Sequence, residues 1–159
     1  MIMRYITIVG IGVAATAFID VWNFALGRLF DIRSLDFCLL GRWIGHMRRG
    51  VFRHRAIKAA VAQPHECLLG WLAHYGIGIT LAGGFLVWLA PNWLPRPTLL
   101  PALLYGIATA AFPLFVLQPA LGLGIASAAT PSPVRARLKS LATHAVYGIG
   151  LYVCARLVA

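Results

Sequence analysis

Apolar residues along this chain come in long runs that carry almost no charge. Residues 67–90, 98–134 and 140–155 contain no Asp, Glu, Lys or Arg, and a run near ~20 residues spans ~30 Å of hydrocarbon as a helix. The last run is the shortest, and Lys139 and Arg156 at its ends can extend their charged heads to the interface. Before Arg28, the first thirty residues are apolar apart from Arg4 and Asp20. They open like a secretory signal, with Arg4, an apolar core and Ala15-Thr16-Ala17. The apolar pattern runs on past that cleavage point, which favours a retained helix. The pattern therefore predicts an all-α integral membrane four-helix bundle, one transmembrane domain over 1–159 with helices at about 3–30, 66–90, 98–126 and 134–158.

The connections differ in kind. "APNWLPRPTLLP" (90–101) reads as a tight Pro-rich turn, with Trp88 and Trp93 where an interfacial aromatic belt sits. "SAATPSPVRARLKS" (127–140) is a short turn whose prolines stop one helix and start the next. The 31–65 connection is the one sizeable piece outside the spans. Read as helix, it places Leu40, Trp43, Ile44 and Met47 on one face and Arg42, His46, Arg49 and Arg53 on the other. An apolar stripe opposite a basic one suits an amphipathic helix in the membrane interface, its basic face turned to lipid phosphates. Gly41, Gly45 and Gly50 weaken that helix, at up to ~1 kcal/mol each.

Composition agrees with the pattern: of 159 residues 60% are hydrophobic and 11% charged, at a mean hydropathy of +0.81. The formal net charge of +10 raises a nucleic-acid reading, but its distribution argues against one. Arg28, Arg33, Arg42, Arg48, Arg49, Arg53, Arg55 and Lys58 flank the first connection, Arg135, Arg137 and Lys139 the third, and Arg4, Arg96 and Arg156 the other side. Eleven against three follows the positive-inside rule. It predicts a bacterial inner-membrane protein with both termini periplasmic and a cytoplasmic 31–65 connection that contacts anionic lipid headgroups. Cys38, Cys67 and Cys154 share no CxxC spacing and are expected as small apolar residues, neither a disulfide nor a zinc set.

Polar residues within the spans are the candidates for function. His74 and His144 each sit between small residues one turn away, in the rows Gly70–His74–Gly78 and Ser140–His144–Gly148. At ~1.5 Å per residue, His74 is about 12 Å from Glu66, His144 about 15 Å from Val134, Asp20 about 16 Å from Asp31 and Gln118 about 13 Å from Ser127. All four approach one level, and Thr16, Asn23 and Gly27 share the face of Asp20. Pro113 and Pro119 free carbonyls nearby. A charge in the membrane costs ~2.5–3.5 kcal/mol on insertion scales, so Asp20 has to face inward and find a partner.

Several roles remain open for a cluster of Asp20, Asn23, His74, Gln118 and His144. It can be a hydrogen-bonded brace, or a proton, ion or ligand site in a small transporter. His74 and His144 can instead be the axial ligands of a b-type haem in a redox subunit. A metal lacks the usual tight ligand pairs, and no nucleophile stands in a catalytic motif, so no catalytic or metal residue is assigned and an enzyme is the weaker class. The rival from another class is a non-catalytic accessory subunit that docks its small-residue rows on a larger complex, or a homo-oligomer.

"GRWIGHMRRGVFRH" (41–54), "LGWLAHYGIG" (69–78), "LQPALGLGIASAATPSP" (117–133) and "THAVYGIGLY" (143–152) together resemble a bacterial family of small integral membrane proteins, domain-of-unknown-function family 2938. The resemblance implies an inner-membrane protein with about four spans. It implies no activity, substrate or residue role.

Overall fold

The computed structural model describes residues 2–32 and 34–159; Met1 and Arg33, the latter one of the basic residues counted on the first connection, lie outside the described residues. Five helices carry the fold: α1 (Ile2–Phe30), α2 (Phe37–Met47), α3 (Glu66–Leu89), α4 (Leu99–Ala120) and α5 (Pro133–Val158). No strand occurs among the described residues. The four helices other than α2 are long and apolar enough to cross a membrane, and in each only 22–33% of the most apolar stretch is buried inside the protein. Large apolar side chains such as Phe24, Leu72, Leu104 and Phe115 turn outward, as lipid-facing helices require. The chain is built as a helical, multi-pass membrane protein.

Two of the spans widen before they end. In α4, Pro113 has no amide hydrogen to give, and the turn from Pro113 to Leu117 opens so that the Gln118 N–H reaches the Pro113 carbonyl five residues back. The helix stops at Ala120 rather than near 126, because Gly122 (φ +87°) and Gly124 (φ +78°) leave the helical region. The Leu123 N–H then folds back on the Gln118 carbonyl at 2.8 Å. The end of α3 widens in the same way over Gly84–Leu89.

The chain forms two compact units. The first comprises Met1–Ser34, Tyr75–Thr109 and Ala142–Ala159. Its core takes Ile8, Ile11, Ala15 and Ile19 from α1, Ala82, Phe85 and Leu86 from α3, Ala102 from α4, and Tyr147, Leu151, Cys154 and Ala155 from α5. Trp93 belongs to this core and donates its indole N–H to the Thr98 carbonyl at 3.1 Å. Of the two tryptophans expected at the interface, only Trp88 is largely exposed.

The second unit comprises Leu35–His74 and Ala110–Leu141. Asp36 caps α2 by accepting from the Cys38 N–H at 2.9 Å, satisfying an otherwise orphan donor. The apolar stripe of α2 is covered by protein: Leu39, Leu40 and Trp43 pack with Ile57, Leu117, Ala120 and Leu121. Residues 54–57 run beside the end of α4, with the His54 N–H on the Ala120 carbonyl and the Ile57 N–H on the Leu121 carbonyl. The cysteines depart from expectation here, for Cys38 and Cys67 form a disulfide while Cys154 is free and buried. The cause lies in the glycines beside them. A Cβ on Gly41 would overlap the Glu66 carbonyl and one on Gly70 the Phe37 carbonyl. Backbones this close bring the first turns of α2 and α3, and with them the two sulfurs, together.

Candidate functional site

In the first unit two helix crossings place the polar side chains. At one, Gly78 of α3 receives the Thr16 side chain, with no room for a Cβ between them, and Ile79 lies on Gly12. Thr16 returns its hydroxyl to the Gly12 carbonyl at 2.7 Å, so it adds no unpaired donor to the contact. The helices run antiparallel, so one turn onward along α1 is one turn back along α3. That step meets Asp20 and Tyr75, and the Tyr75 hydroxyl donates to Asp20 Oδ2 at 2.8 Å. Nearby, buried Tyr147 of α5 donates to the Gly78 carbonyl at 2.6 Å.

The second crossing repeats the device with α4 and α5. A Cβ on Gly106 would meet the His144 carbonyl and the backbone of Gly148, and one on Gly148 would meet the Ala102 carbonyl. One turn away, Thr109 Oγ1 stands 2.8 Å from His144 Nδ1. The same hydroxyl lies 2.6 Å from the Gly106 carbonyl, a separation that needs its one hydrogen between the oxygens. The proton of the His144 contact is then supplied by Nδ1–H.

The other expected residues have local partners of their own. His74, in the second unit, stacks on Phe37 with centroids 4.0 Å apart, and Trp71 meets Phe37 edge-on at 4.8 Å. Gln118 accepts from the Ser127 hydroxyl at 2.7 Å and donates to Ser140 at 3.1 Å. It thus holds the left-handed turn at Ala126 and Ser127, φ 49° and 61°. Asn23 is half-buried on α1, three residues beyond Asp20.

A family model described as "Protein of unknown function (DUF2938)" matches residues 9–158. The chain belongs to DUF2938. No curated protein and no solved structure matches it.

On the first connection of this DUF2938 protein the basic residues divide. Arg49 and Arg53 are exposed. Arg42 is turned into the fold: its Nε and Nη2 donate to Glu66 at 2.9 and 2.7 Å, and its Nη1 to the carbonyls of Ile57, Lys58 and Ala60 at 3.1–3.4 Å. His46 Nε2 is 2.9 Å from the Val61 carbonyl. Its ring stands edge-on to His54 at 4.9 Å. Burial, and then the neighbouring His46, push the His54 imidazole below its ordinary value, against a smaller opposing effect of Ala120. Both ring nitrogens of His54 are buried with no hydrogen-bond partner among the described residues.

Sequence reasoning passed over Tyr75, Thr109 and Tyr147, because it searched for charge and imidazole inside the spans and read hydroxyls as neutral filler. A signal was present. Tyr75 is three residues before Gly78, Thr109 three after Gly106 and Tyr147 next to Gly148, so each hydroxyl stands within a turn of a close-contact glycine.

Proposed function

We propose that this protein lies in the bacterial inner membrane with the 31–65 and 127–140 connections inside and both termini outside, and that it binds and releases a proton at Asp20 as part of a small transporter. The eleven-to-three division of basic residues supports the orientation. One observation carries the chemistry: a carboxylate within α1 meets a hydroxyl from a second span, Tyr75 to Asp20 at 2.8 Å. A carboxylate within the bilayer is costly unless it has a role and a partner. A phenol can donate to the ionised carboxylate and accept from the protonated acid, so it serves both forms. Asn23 extends this face, and His144, whose Nδ1–H is held by Thr109, is assigned to the same task.

The test is proton flux in liposomes holding the purified protein and an internal pH dye. Wild type should dissipate an imposed pH gradient, Asp20→Asn should abolish the flux while keeping its helical circular dichroism, and Tyr75→Phe should slow it. A folded Asp20→Asn protein with wild-type flux overturns the proposal. A wild-type protein with no flux also overturns it, leaving the accessory-subunit reading. A reduced-minus-oxidised spectrum of the same preparation checks the rival cofactor: a Soret band lost in His74→Ala or His144→Ala would replace proton movement with haem-based electron transfer.

A further inference from the structure

The Cys38–Cys67 pair has a use that neither proton movement nor packing requires. We propose that it is an exchangeable redox pair, opened by nucleophilic attack of a small anionic thiol on Cys67. The bond closes the first turns of α2 and α3, and its two sulfurs differ in access: Cys67 is exposed and Cys38 half-buried. An incoming thiolate therefore reaches Cys67 first. Both cysteines stand in the first turn of a helix of at least eleven residues, where the helix dipole favours a thiolate, so Cys38 is a competent leaving group.

Opening the bond does not require the helices to part. The Gly41 and Gly70 backbone contacts and the two-pronged Arg42–Glu66 pair hold α2 on α3 without it. A disulfide that is one of several ties can cycle while the fold persists. Charge selects the reagent. The second unit carries nine basic residues (Arg42, Arg48, Arg49, Arg53, Arg55, Lys58, Arg135, Arg137 and Lys139) against two acidic ones, Asp36 and Glu66. Glu66 is already paired with Arg42. The net +7 field draws anionic thiols and repels cationic ones.

The chemistry balances with two thiols. One thiolate attacks Cys67 Sγ, the S–S bond breaks and Cys38 leaves as a thiolate that takes a proton from water. A second thiolate attacks the reagent's sulfur in the mixed disulfide, releasing the oxidised reagent and the Cys67 thiolate, which takes the second proton. Two electrons pass from two reagent thiols to the protein pair.

The test uses full-length Cys154→Ser protein in neutral-lipid nanodiscs. Opening is followed by acid quench and maleimide gel shift with glutathione, 2-mercaptoethanol and cysteamine, each at equal thiolate concentration. Opening should be reversible by oxidised glutathione, should follow the order anionic, neutral, cationic with about tenfold between the extremes at low salt, and should lose that order at high salt. Cys38→Ser protein given oxidised glutathione should take one glutathione onto Cys67, releasing the other as thiol, by mass spectrometry. A bond that opens only after denaturation, thiols that never pair, or rates indifferent to reagent charge at low salt overturns the proposal. Liposome flux of the Cys154→Ser protein, measured beside it, reports on Asp20 alone, so failure of one reading is separable from failure of the other.

Discussion

Removing Arg42 should loosen α2 and the segment before α3 together, because one guanidinium ties both. Its Nε and Nη2 hold Glu66, and its Nη1 faces the carbonyls of Ile57, Lys58 and Ala60. Glu66 in turn accepts the Gln63 N–H at 2.8 Å. The pair is mostly covered, with side-chain exposures of 15% and 14%. A hydrogen bond to a charged group contributes ~1.5–3 kcal/mol, and breaking a fully buried pair costs ~3–5 kcal/mol. The residual exposure reduces that, so Arg42→Ala should cost about 2–3 kcal/mol. Glu66→Gln keeps the shape and part of the bonding and should cost about 1–2 kcal/mol. A double-mutant cycle should return a coupling of about 1–2 kcal/mol. The measurement is reversible denaturant unfolding in one detergent, in a Cys38→Ser/Cys67→Ser background so that the covalent tie does not mask the change. A coupling below about 0.3 kcal/mol would reduce the pair to an ordinary surface ion pair and refute the reasoning.

Two further outcomes follow from the same geometry. Gly148→Leu and Gly106→Leu should each lower stability by at least about 1–3 kcal/mol, since even a Cβ there meets backbone. Gly10→Ala and Gly76→Ala, with nothing within 4 Å of the added Cβ, should be close to neutral, and thermal melts compare the four. The depressed His54 imidazole makes stability pH-dependent with a fixed sign. Above ~6.5 the unfolded imidazole is also neutral and no penalty arises; below it the unfolded chain takes a proton that the folded chain resists, so stability should fall as pH drops from there through the folded value. His54→Gln should flatten that part of the pH curve, and an unchanged slope counts against burial of the ring.

The spans were the most legible part of the fold, because an uncharged apolar run long enough to cross a bilayer has few other uses. The second unit was the least. The spacing of Leu40, Trp43, Ile44 and Met47 marks an apolar helical face but not what covers it, and Leu117, Ala120 and Leu121 do so from about eighty residues away. The same blindness hid the disulfide: cysteines 29 residues apart show no motif, and only the Gly41 and Gly70 contacts bring them together. A helical wheel puts Arg42 on the basic, lipid-facing side of α2 and cannot show that Glu66 returns to it. Asp20 was legible as a residue in need of a partner, but the partner was not, since a tyrosine in an apolar run gives no sign of where its hydroxyl points.

Glycine rows and polar residues fall together in this chain for a mechanical reason. Lipid offers helices no hydrophobic reward for touching, so close crossings depend on small residues that admit backbone contact. A hydroxyl, carboxylate or imidazole placed one turn from such a crossing is carried into reach of the opposite helix, whereas the same residue farther along would be spread away by the crossing angle. Thr16–Gly78 sets Asp20 against Tyr75, and Gly106–Gly148 sets Thr109 against His144. The crossings therefore govern the chemistry as well as the packing. A substitution that wedges open the first crossing, Gly78→Leu, should separate Tyr75 from Asp20 without touching either. If Asp20 is the proton site, flux in that variant should fall toward the level of Asp20→Asn; unchanged flux in a variant with measurably lowered stability would mean that the Tyr75 contact is a brace and not part of the path.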